Sequence, residues 1–220
     1  MSIQIYILNA SGNLGYQRDL LRDSARAAIK RVRTIISLDN VDIVIKEAED
    51  PDVYKEIDGI GGWCPSGFFI QLSIDINHPS FQQDPRRIVE RTLIHELHHA
   101  ARIQAGIPIG KGSFLEYMFS EGLADNFVFE LTGTIPVWVP ELSEEDKKRL
   151  YRIVKRKYSR KFIQRDHSLW FISGSENQRI PQFAGYALGF DFVKNYLEKN
   201  PVESAASLVT IPVDEILISI

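Results

Sequence analysis

Cysteine is all but missing from this chain. With Cys64 alone among 220 residues, no internal disulfide can form and no cysteine cluster can hold a metal. Long apolar runs are missing too, since none approaches the ~20 residues that a membrane helix needs. The formal net charge is only −3, which gives no general attraction to nucleic acid or to an anionic membrane. Segment 1–7 has no basic run before its apolar residues. Ile3, Ile5 and Ile7 alternate with Gln4 and Tyr6, a pattern that predicts a strand rather than a signal peptide. The expectation is a cytoplasmic protein with neither membrane nor nucleic acid as partner. No internal repeat or low-complexity linker interrupts it. A chain of this size can bury roughly 70% of its unfolded surface, so it needs no covalent or metal staple to fold.

What is present divides into strands first and helices second. Segments 2–9, 41–47 and 69–75 alternate as strands, and 15–37 carries an apolar helical face through Leu20, Leu21, Ala25, Ala28, Ile29, Val32 and Ile36. Gly59, Gly61, Gly62 and Pro65 predict turns between the last two strands. Asp84 and Pro85 supply an N-cap and a first-turn proline for a helix running to Gln104. Ser113 and Glu116 form a capping box that opens a helix ending at Gly133. Further helices are expected near Ser143 and after Pro181. This order predicts an α+β fold.

The segment His95-Glu96-Leu97-His98-His99 places two histidines at i and i+4 inside the Asp84-capped helix. Side chains four apart lie about 40° apart around a helix, so both imidazoles can reach one ion. Neutral imidazole suits zinc, and Glu96 stands where it could take a proton from a water at the open position. A third ligand is then required. Ser120-Glu121-Gly122-Leu123-Ala124-Asp125 on the next helix offers Glu121, with Asp125 one turn further to orient an imidazole from outside. His98 falls on a different side of the helix and is expected at the surface or behind the ligands.

These residues, together with Gly185-Tyr186-Ala187-Leu188-Gly189, resemble the gluzincin peptidases. More narrowly, they resemble a bacterial family of predicted Zn-dependent proteases catalogued as a domain of unknown function. The resemblance covers about residues 60–200. It implies a zincin-like fold; taken with the order of strands and helices, the expectation is a single domain over 1–220, with a mixed β/α lobe at 1–80 and a mainly helical lobe at 81–220 carrying the metal site. It also implies Zn²⁺ bound by His95, His99 and Glu121, with Glu96 as general base and Asp125 as the carboxylate behind a ligand.

An amide carbonyl under attack needs a donor facing its growing negative charge. Tyr186 and His167 are the candidates, Tyr186 first, with core packing as the competing role for each. His78, before Pro79, has no partner in sequence and is expected in solvent. Strand 69–75 is the candidate sheet edge for an extended substrate, although a central position fits the same pattern. The basic stretch from Lys147 to Arg165 follows Glu144, Glu145 and Asp146. That polarity suits a solvated helix and its dipole better than a nucleic-acid surface. Trp63, Trp138 and Trp170 are expected to pack.

The expected activity is therefore peptide-bond hydrolysis on a peptide or protein substrate. The alternative is a non-catalytic module stabilised by zinc, with a closed four-ligand site. Oligomeric state and the choice between endopeptidase and aminopeptidase stay open.

Overall fold

A computed structural model of the chain describes residues 2–157 and 164–218. The expected mixture of strands and helices is present. The chain divides into two compact units, Met1–Ala105 and Gly106–Ile220. Among the described residues no helix is long and apolar enough to cross a membrane.

In the first unit, β1 (Ile3–Ile7), β2 (Val41–Glu47), β3 (Ile60–Ser66) and β4 (Phe69–Ile74) make one sheet in the order β1-β2-β4-β3. β1, β2 and β4 run parallel, and β3 returns antiparallel to β4. A parallel pair needs a crossover, which α1 (Arg18–Arg33) supplies between β1 and β2. β2 alternates as the sequence predicts, with Val41, Ile43 and Ile45 buried and Asp42 exposed between them.

Gly59 sits in a turn at φ 75°, as expected, but the rest of the segment, Ile60–Ser66, is a strand. Its glycines mark passing side chains rather than bends: a Cβ on Gly61 would fall 2.2 Å from the Tyr54 ring. Pro65 lies where the β3–β4 register shifts, a bulge on an edge strand being the place a sheet accepts proline. With β3 outside it, β4 is a central strand, which removes it as the candidate edge. A short helix α2 (Pro79–Gln83) follows, and then α3 (Pro85–Gln104). The Asp84 carboxylate caps α3 by accepting from the Arg87 N–H at 3.2 Å. α3 packs against α1 and against β3 and β4.

The second unit is helical: α4 (Phe114–Thr132), α5 (Glu144–Lys157), α6 (Gln164–His167), α7 (Ala184–Lys199) and α8 (Val213–Ile218). Ser113 Oγ accepts from the Glu116 N–H at 3.0 Å, as the capping box requires, while the Glu116 carboxylate accepts from the Val213 N–H at 2.8 Å. Gly133, at φ 69°, closes α4 in the left-handed conformation. On α5, Lys147 pairs with Glu144 and with Asp191 of α7, and Arg149 with Asp146. The basic stretch continues through 158–163, outside the described residues.

α4 and α7 meet backbone to backbone. A Cβ on Gly122 would stand 2.1 Å from the Gly189 carbonyl oxygen, and one on Gly189 would stand 2.3 Å from the Met118 carbonyl oxygen. Beside this crossing, Asn126 Nδ2 donates to the carbonyls of Gly122 (2.8 Å) and Phe190 (3.0 Å), locking the two helices in register. Gly122→Ala is expected to lower unfolding free energy by about 1–3 kcal/mol through overpacking. Gly112→Ala, whose Cβ would meet only Glu116 at 3.4 Å, should change it by less than ~0.5 kcal/mol. Urea unfolding of the two variants measures the difference.

Candidate metal centre

α3 is buried almost all round: between Ile88 and Arg102 every residue except Glu90 is buried. Such a helix belongs to an interior, and this one carries charged and polar groups inward. Arg91, 1% exposed, donates through Nη1 to Asp58 Oδ2 at 2.9 Å, which anchors its first half. One turn later His95 and His99 face each other. Their Nε2 atoms are 2.9 Å apart and their rings meet edge to face, with centroids at 4.5 Å.

At that distance one ring must present a proton and the other a lone pair, or both must present lone pairs to a cation. Two nitrogens bound tetrahedrally at 2.0–2.1 Å would stand about 3.3 Å apart. A ring rotation of a few tenths of an ångström therefore turns the observed pair into two ligands, and the donors fit zinc. His98 is not at the surface. It is fully buried, because α3 is covered on the side where the sequence alone leaves solvent as an option.

Glu96, also buried, lies against β3. A Cβ on Gly62 would fall 2.3 Å from its Oε1 and 2.7 Å from its Cδ, so the missing side chain is what admits the carboxylate. The adjacent pair Gly61-Gly62 was the available signal for a close approach. Cys64, two residues along β3, donates to the Ser66 carbonyl at 3.2 Å. Burial, and then the Glu96 charge, push its thiol well above the ordinary range. A thiol shifted in that direction is a poorer nucleophile than an exposed one.

In the second unit α4 buries Glu121 and Asp125 on one face, held by the α4–α7 crossing just described. Asp125 Oδ1 accepts from the Trp138 indole N–H at 3.0 Å, a partner that sequence spacing did not suggest. Trp138 and Trp170 are buried, whereas Trp63 on β3 is 58% exposed. Tyr186 is half-buried in an aromatic cluster, its ring 5.1 Å from Phe171 and perpendicular to it. His167 stacks on Phe171 at 6.0 Å. Burial lowers its pKa, opposed by the charge of Glu121, so His167 lies within electrostatic reach of that carboxylate. His78 is not free in solvent: its Nε2 is 3.0 Å from the Lys55 carbonyl oxygen.

Among the described residues, His95, His99 and Glu121, all buried, make a group of the kind that could hold a metal ion. Neutral imidazoles and one carboxylate are a donor set that zinc accepts.

A family model described as "Predicted Zn-dependent protease (DUF2268)" matches residues 21–218. Two curated relatives, both from Bacillus subtilis (strain 168), are named only as uncharacterized proteins. YjaZ is 30% identical over 154 residues, covering 68% of this chain and 54% of its own length. YjfC is 26% identical over 153 residues, covering 64% and 50%. The chain thus spans about half the length of the curated relatives it matches. No solved structure matches. Zinc titration against a competing chelator should find affinity reduced at least ~100-fold in His95→Ala and in His99→Ala, and within about threefold of wild type in His98→Gln. Unchanged affinity in both alanine variants would place the ion elsewhere.

Proposed function

From the premise that this chain belongs to the family described as predicted Zn-dependent proteases, we propose that it is a zinc peptidase of zincin-like fold, with His95, His99 and Glu121 as metal ligands. The observation that carries the reading is the buried imidazole pair with Nε2 atoms 2.9 Å apart, beside a buried carboxylate on the same helix. Bound there, zinc would polarise a carbonyl as a Lewis acid and lower the pKa of a water toward ~7.

The chain's own residues do the rest. Glu96 takes the proton of the attacking water and hands it to the departing amine, so that one carboxylate serves as base and then as acid. Gly62 leaves the space that the Glu96 carboxylate fills. Asp125, held by Trp138, orients an imidazole from behind. Tyr186 or His167 donates to the carbonyl oxygen as charge builds on it. The substrate is a peptide or protein segment, and its natural grip is the outer edge of β3. That strand ends the sheet and adjoins Glu96, and main-chain hydrogen bonds there hold an extended backbone with little regard to sequence.

Glu96→Gln should retain stoichiometric zinc and lose roughly 10²–10⁴-fold in kcat on a quenched fluorescent peptide library. Cleavage at the wild-type rate would exclude Glu96 as the base. Zinc bound with no cleavage by the wild-type chain would favour the zinc-stabilised binding module. Gly62→Ala should also retain zinc while kcat falls at least ~10-fold, because the new methyl displaces the carboxylate.

A further inference from the structure

The sheet has a second edge, and it is built differently from the first. Val41 donates to the Ser2 carbonyl (3.3 Å) and Leu8 donates to the Ile45 carbonyl (2.9 Å). In a parallel ladder, alternate residues of a strand bond to the same neighbour. The even-numbered residues of β1 therefore bond to β2, and Ile3, Ile5 and Ile7 turn their N–H and C=O groups the other way. β1 is the terminal strand on that side, so the sheet offers these groups no partner.

Beside them lies a groove of about 550 Å³, lined by Ile3, Gln4 and Ile5 and by Arg22, Arg26, Lys30 and Arg33 of α1. The four cations recur at helical spacing, which puts them on one face of α1. Arg22 and Arg26 meet Asp19 and Asp23 only at 3.6 Å, with both carboxylates exposed, and such pairs contribute little. Lys30 and Arg33 are exposed and have no ion-pair partner among the described residues. A protein of net charge −3 thus gathers four positive side chains along one open strand edge.

We propose that β1 and α1 form a docking groove for an extended acidic segment of a partner protein, which adds to β1 as a fifth strand. Main-chain bonds to Ile3 and Ile5 would set its register, and its Asp or Glu side chains would meet Lys30, Arg33, Arg26 and Arg22. Charge complementarity selects this occupant. A nucleic acid or an anionic membrane would satisfy the cations but not the alternating N–H and C=O groups of the edge. A purely protective role, in which the charges only discourage edge-to-edge pairing, predicts no ligand at all. The site is independent of the metal centre.

The test is fluorescence anisotropy on the full chain with a labelled, end-capped ten-residue peptide of alternating Glu and Thr. Saturable binding that weakens with salt is expected. Alternate N-methylation of the peptide keeps its charge but removes strand donors, and it should weaken binding at least ~10-fold. The double substitution Lys30→Glu and Arg33→Glu, with folding checked by circular dichroism, should do the same. No saturable binding, or equal binding of the N-methylated peptide, overturns the proposal. So does tighter binding of single-stranded oligo-dT or of anionic vesicles than of the peptide. Light scattering that shows a dimer, dissociated by the same double substitution, would give the edge to a second copy and overturn it as well.

Discussion

Two imidazoles facing each other inside a buried helix impose a requirement on everything around them. Polar rings taken out of water need partners, and a 2.9 Å gap between ring nitrogens leaves room for one shared proton or, after a slight opening, one shared cation. To keep that face of α3 dry, the sheet must lie against the helix, α1 must flank it, and its first turns must be held, as Arg91 and Asp58 hold them. To bring Glu96 inward, the strand beside it must lose a side chain, as Gly62 does. Each of these features costs stability in isolation. A glycine inside a strand and an acidic residue in an interior are both placed at the site proposed here.

Legibility in the sequence followed the range of the interactions involved. The α3 and α4 boundaries could be read because Asp84, Pro85, Ser113 and Gly133 act on the backbone within one turn. The metal-ligand candidates could be read because i, i+4 spacing on a helix is local geometry. β3 could not, because Gly61, Gly62 and Pro65 carry turn chemistry when only neighbours in sequence are considered. Their reasons lie with Tyr54, with Glu96 and with a bulge against β4. For the same cause β4 could not be assigned as central or edge. The burial of His98 and the bond from Trp138 to Asp125 depend on packing between segments distant in sequence, and no periodicity reports them. The Gly122–Gly189 crossing was half visible: the small residues could be seen, but not that their backbones touch.

The sheet's two ends divide the labour proposed for this chain. β3 lies beside Glu96, where an extended substrate would be held against the base. β1 lies beside α1, where four cations border strand groups turned away from the sheet. The same backbone chemistry operates at both ends. What differs is the side chain placed next to it: a single buried carboxylate at one end, and a row of cations at the other.

The central claim is that the facing histidines of α3 are metal ligands, and X-ray absorption at the zinc edge tests it most directly. On protein purified without added chelator, the account predicts one zinc per chain with two imidazole nitrogens and oxygen donors at about 2.0–2.2 Å, one imidazole being lost in His99→Ala. A sulfur shell at about 2.3 Å, which in this chain could involve Cys64, or the absence of stoichiometric zinc, would contradict it.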